Sequence, residues 1–102
     1  MRFERYPLTV AGSAGGTGGT QDCRQHAEKL VNLHPGANAT LQVMVCEHES
    51  DNTHWQAYGD AAVGVDLAVL IEGAWARIRV DTPAWTSGAP AAMYNALNHR
   101  TH

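Results

Sequence analysis

The stretch from Val63 to Val80 constrains the fold most, because apolar residues recur at every second position along it. Val63, Val65, Leu67, Val69 and Ile71 follow one another at period two, and Ala74, Ala76, Ile78 and Val80 repeat the pattern. Period two is the signature of a strand with one buried face, since successive side chains point to opposite sides of a sheet. A two-residue turn at Glu72-Gly73 sets Ile71 opposite Ala74, Val69 opposite Ala76, Leu67 opposite Ile78 and Val65 opposite Val80. The other face then pairs Leu70 with Trp75, Ala68 with Arg77 and Asp66 with Arg79. A slip of one residue would mix both faces. This sorting predicts a β-hairpin at the centre of the domain, although Glu-Gly is a weaker turn signal than Asn-Gly and a longer connection stays open.

The remainder of the chain supplies elements around that hairpin. Residues 2–10 alternate weakly through Phe3, Tyr6, Leu8 and Val10, and Pro7 places this first strand at a sheet edge, because proline cannot donate to a ladder. Gly12–Thr20 holds five glycines in nine residues and reads as a loop. Thr20 then stands as a helix N-cap, followed by Cys23, Ala27, Leu30, Val31 and His34 at helical spacing. Asp22 in the first turn and Pro35-Gly36 as a stop complete a helix over about 20–33. From Ala39 to His48 the period is two again. A polar turn at Glu49–Asn52 and a shorter strand over Thr53–Tyr58 suggest a second hairpin. A final short helix starts near Pro90, with Met93, Ala96 and Leu97 inward.

The resulting order, β-α-β-β-β-β-α, predicts an α+β fold. One twisted, mainly antiparallel sheet of about five strands carries two helices on one face, in a single domain over residues 1–102. A chain of 102 residues with 44% apolar and 17% charged residues has the composition of a globular domain with one core.

Charge narrows the function classes. The net charge of −3 is concentrated between Leu41 and Asp66, which holds Glu47, Glu49, Asp51, Asp60 and Asp66 with no Lys or Arg. Seven scattered basic residues make a poor footprint for nucleic acid, which is bound by neutralising phosphates. An acidic middle suits a cation or a basic partner instead. Cys23 and Cys46 are too few for a disulfide framework. No apolar run marks a signal peptide or a membrane span, so the expected setting is the cytoplasm, without membrane or nucleic-acid partners.

Three groups of residues are candidate sites. The glycine loop, with Gly16, Thr17, Gly18 and Thr20 before a helix, has the form of an anion site. It lacks the lysine of a phosphate loop and the spacing of a dinucleotide fingerprint, so a mobile surface loop is the simpler reading. The segment Cys46-Glu-His-Glu-Ser-Asp-Asn-Thr-His54 gathers metal-ligand types, with Cys46, His48 and His54 as ligands. The same segment offers His48, His54, Glu47 and Glu49 as acid–base groups. No common zinc spacing or catalytic triad is present, and a solvated acidic tip explains these residues as well. The third group is the outer face of the main hairpin, with Leu70, Trp75, Arg77 and Arg79, where Trp and Arg suit a protein interface unless the chain itself covers them.

These features favour a small non-catalytic interaction protein, docking on a protein partner or on a second copy of itself as a homodimer, with no cofactor. The alternative is a small enzyme or ligand-binding domain that uses the His48, His54 and acidic hairpin as an acid–base or metal site.

Overall fold

A computed structural model describes residues 2–47 and 54–98. Nine strands run through them: β1 (Arg2–Leu8), β2 (Gln21–Asp22), β3 (Glu28–His34), β4 (Ala39–Cys46), β5 (Gln56–Ala57), β6 (Ala62–Val63), β7 (Leu67–Ile71), β8 (Arg77–Trp85) and β9 (Ala91–Asn98). Among the described residues there is no helix, so none is long and apolar enough to cross a membrane.

Two antiparallel sheets form, in the orders β1-β9-β3-β7 and β2-β8-β4-β5, with β6 also paired to β4. The pairs β1–β9, β2–β8, β3–β7 and β4 with β5 and β6 set the first half of the chain against the second, like one long ribbon doubled back. The ribbon is then rolled, so that β3 also meets β9 and β4 also meets β8. That connectivity is the jelly roll, a two-sheet solution that leaves few free edges.

The inner faces follow from the alternation. On the four-stranded sheet, Tyr6, Tyr94, Val31 and Val69 lie in one row, with Leu8, Ala92, Leu33 and Leu67 in the next. Leu41, Val43 and Val45 of β4 and Ile78 and Val80 of β8 face them from the other sheet, and these residues form one core cluster. The third inner row is mixed: Glu4 and Lys29 flank Ala96, and Ile71 completes it.

The α+β expectation is therefore overturned, and each error has a physical source. The segment expected as a helix over 20–33 is β2, a turn and β3. In β3, Lys29, Val31 and Leu33 are buried while Leu30 and Asn32 are only partly so. Burial of Lys29, which is only 5% exposed, disguised this period-two pattern. The helix expected near Pro90 is β9, whose Ala92, Tyr94 and Ala96 face inward. Alanine, methionine and leucine favour helices locally, but pairing with both β1 and β3 overrides that preference.

The central hairpin is also corrected. Of the two arms, only Leu67–Ile71 and residues 77–80 are strand as expected, while Val63 falls in β6, and Val63 and Val65 are exposed. Strand β7 pairs with β3, and β8 pairs with β2 and β4, so the two arms lie in different sheets. Residues 72–76 cross between the sheets rather than turning within one. Gly73 permits this with φ of 106°, a conformation that side chains rarely adopt. Two smaller expectations agree with the structure: Pro7 lies in an edge strand, and β4 forms a hairpin with β5.

Candidate functional site

The glycine-rich segment after β1 runs beside β8. Gly15 N–H donates to Thr82 O at 2.8 Å, Thr82 N–H donates to Gly16 O at 2.9 Å, and Gly19 N–H donates to Thr9 O at 3.1 Å. The Thr82 hydroxyl adds a bond to Ala11 O at 2.8 Å. Gly18 fits between two carbonyls, since a Cβ there would lie 2.3 Å from Val80 O and 2.4 Å from Thr9 O. Gly16, Thr17, Gly18 and Thr20 thus belong to a stitched sheet margin. No helix follows them, so the helix N-terminus on which the anion reading depended is missing.

This margin leads into β2, and the turn after β2 carries a polar cluster that reaches β1 and β9. Cys23 is fully buried, and its Sγ donates to Trp75 O at 3.2 Å. Asp22 accepts from Arg24 N–H at 3.1 Å and pairs with the Arg24 guanidinium at 3.2 Å, which holds its carboxyl below the ordinary range. His26 then reaches back between the sheets, with a side chain only 9% exposed. Its ring stacks on Tyr6 at a centroid distance of 5.7 Å and 28°, and Tyr94 tilts against it at 5.4 Å.

The hydrogen bonds assign the proton positions. His26 Nδ1 lies 2.6 Å from Tyr94 Oη, and Tyr94 is fully buried with no other hydrogen-bond partner among the described residues. A buried hydroxyl needs an acceptor. Tyr94 therefore donates to Nδ1, and the proton of the neutral ring sits on Nε2. Nε2 is 3.9 Å from Glu4 Oε1, which also accepts from the Tyr6 hydroxyl at 2.5 Å. Burial lowers the affinity of His26 for a second proton, against the opposing influence of Glu4. Burial likewise raises the Tyr94 phenol, and it pushes the Cys23 thiol up to about 11. Tyr6, Gln21, Asp22, Gln25 and His26 line a cavity of about 220 Å³ above this cluster.

The candidates named from sequence are dispersed. Leu70 lies on the outer face of the four-stranded sheet, 57% exposed. Trp75 lies in the crossing segment, half-buried, with Nε1 donating to Glu72 O at 2.9 Å and its ring edge-on to Tyr58. Arg77 and Arg79 are on the other sheet, where their guanidinium carbons sit 5.1 and 4.4 Å from the Trp55 ring centroid. Arg79 also pairs with Asp81 at 2.9 Å. The four residues do not form one surface.

Cys46 is fully buried and accepts from Arg77 Nη2 at 3.8 Å, while Glu47 and His54 are exposed. His48 and Glu49 lie outside the described residues. No group of three metal-ligating side chains occurs among the described residues.

The cluster that sequence reading missed joins β1, the turn after β2 and β9. His26 and Tyr94 alone are 68 residues apart, and no local spacing announces the cluster. Fold and cluster together define an all-β sandwich with a polar aromatic knot at one end. Protein-family models, curated proteins and solved structures give no match to this chain.

Proposed function

We propose that this chain is a non-catalytic interaction module that docks on protein through the outer face of its four-stranded sheet. The observation behind this reading is the composition of that face. Its outward rows read Arg5, Asn95, Leu30, Leu70 and then Pro7, Met93, Asn32, Ala68. Arg5 is the sole charged residue in those two rows. A sheet face meant for water ordinarily alternates polar side chains outward. Here Leu30 and Met93 are partly exposed and Leu70 largely so.

A cleft of about 420 Å³ adjoins this face, lined by Ala27, Glu28, Leu70, Ile71, Glu72 and Gly73. Leu70 offers an apolar wall, and the two glutamates set negative charge at the rim. That combination suits a Lys or Arg side chain from the partner, with its stem on the wall and its head at the carboxylates. Both cysteines are buried and Cys23 is held protonated at neutral pH, so neither is placed as a reactive thiolate.

Sedimentation velocity across a concentration series, with affinity capture from native lysate, tests the reading. Wild-type protein should self-associate or retain a partner, and Leu70→Asp should weaken that association at least about tenfold. If the wild type stays monomeric and Leu70→Asp captures the same proteins as wild type, this face is not the docking surface.

A further inference from the structure

The cavity above His26 carries a second inference, from residues that are not on the outer sheet face. We propose that the pocket formed by Tyr6, Gln21, Asp22, Gln25 and His26 binds a neutral polyhydroxylated ligand, a saccharide ring, through hydroxyl recognition by His26 and Glu4.

The first support is an open hydrogen-bonding position on a largely buried ring that lines the cavity. His26 has a side chain only 9% exposed, and its Nδ1 is committed to Tyr94. Nε2–H has no acceptor within hydrogen-bond distance among the described residues, and Glu4 Oε1 stands 3.9 Å away. That gap is too long for a direct bond and short enough for one oxygen to bridge. An oxygen placed there accepts from Nε2–H and donates to the carboxylate. A group that accepts from one side and donates to the other is a hydroxyl. Water meets this condition when the site is open, and a sugar hydroxyl meets it when the site is filled.

The walls agree with that chemistry. Tyr6 is partly exposed and lines the cavity, with its ring stacked on both His26 and Tyr94, so the polar groups stand beside an aromatic wall that apolar C–H groups can meet. Gln25 is exposed, and Gln21 gives one amide hydrogen to Asp22 O at 3.1 Å, which leaves its amide oxygen as an acceptor. Planar amide and carboxylate groups around an aromatic platform can both donate to and accept from a ring of hydroxyls.

Other ligand classes fit less well. Asp22 and Glu4 oppose an anion, and Arg24 is already paired with Asp22. Among the described residues, too few metal-ligating groups converge for an ion. The cavity of about 220 Å³ has room for one ring and has polar walls, which excludes a large apolar ligand.

Two-dimensional amide NMR of the full chain, titrated with methyl glycosides of glucose, galactose, mannose and N-acetylglucosamine, tests the proposal. At least one glycoside should give saturable shifts confined to the amides of Tyr6 and Gln21–His26. Gln25→Ala, an exposed change that leaves the fold intact, should weaken that binding about fivefold, as expected for one lost hydrogen bond. His26→Phe keeps the ring stack but removes Nε2–H, and it should abolish the shifts while its spectrum stays dispersed. If no glycoside gives saturable shifts, the proposal is wrong. It is equally wrong if binding is unchanged by both substitutions, or if tetramethylammonium shifts these amides and the glycosides do not.

Discussion

Gly18→Ala should be the most damaging single-methyl change in the glycine-rich segment, and its cost can be worked from the structure. The new Cβ would meet Val80 O at 2.3 Å and Thr9 O at 2.4 Å, whereas real Cβ contacts essentially never fall below 3.0 Å. Each carbonyl must retreat by at least about 0.6–0.7 Å, and neither belongs to a flexible side chain. Val80 lies in β8, between β2 and β4, and Thr9 O already accepts from Gly19 N–H. Overpacking of this kind costs about 1–3 kcal/mol, and a broken backbone bond adds about 1 kcal/mol. The expected loss is about 2–4 kcal/mol, a large part of the roughly 5–15 kcal/mol available to a small domain.

Neighbouring glycines provide internal controls. A Cβ at Gly12 meets nothing within 4 Å, so Gly12→Ala should be neutral or stabilising by up to about 0.5–1 kcal/mol through the unfolded chain. Gly15 also has open space, but its φ of 77° should cost Gly15→Ala about 1 kcal/mol. Urea unfolding followed by circular dichroism gives all three values, with an unchanged m-value as the check that only stability moved. The order Gly12, Gly15, Gly18, from mildest to worst, is the prediction. Should Gly18→Ala fall within about 0.5 kcal/mol of Gly12→Ala, the segment is not wedged against β8, and the reasoning about the sheet margin fails.

Three further outcomes follow from the polar interior. Because burial holds His26 below its ordinary value of 6.5, the unfolded chain takes up this proton first; stability should fall as pH drops below 6.5, and an unchanged acid limb in His26→Gln would contradict this. Cys23 is raised from 9.0 to about 11, so its contribution is complete below pH 9 and is lost as pH climbs towards 11; Cys23→Ala should flatten that alkaline limb, by up to about 2–3 kcal/mol, in melts at stepped pH. Lys29, buried with its ammonium donating to Gly73 O at 3.2 Å, should tolerate Lys29→Met with no loss, or with a gain of up to about 1 kcal/mol; a loss above about 2 kcal/mol would show that the ammonium's bonds outweigh its desolvation.

Lys29 also explains how far the fold could be read from sequence. Alternation reports which face of a strand is buried, and it did so for β4, β7 and β8, whose inward residues are mostly valine, leucine and isoleucine. At Val63 and Val65, which are 66% and 69% exposed, it misled. It failed for β3, because one of three inward residues is a lysine, and for β9, because two of three are alanines. Even where alternation succeeds, it says nothing about partners. Val69 and Ile78 belong to strands that look like a hairpin in sequence, and nothing local distinguishes a two-residue turn from a crossing between sheets. The pairings of β1 with β9 and of β2 with β8 close long loops, which local patterns do not record.

The same non-locality hid the candidate site. Glu4, His26 and Tyr94 each look unremarkable in their own segments, and only the rolled topology brings β1, the turn after β2 and β9 to one end of the sandwich. One residue of that cluster did leave a trace. Tyr94 is a large residue with a hydroxyl at the centre of an alanine-flanked strand, Ala92 and Ala96 being its inward neighbours. Small residues on either side of a large one leave room for a second ring, and the Tyr6 and His26 rings stack there. A buried tyrosine must also find an acceptor for its hydroxyl. That requirement calls for an acceptor, which a backbone carbonyl or a side chain from another segment can supply. His26 meets it, and its other nitrogen then stands 3.9 Å from Glu4 beside the cavity that the ring lines.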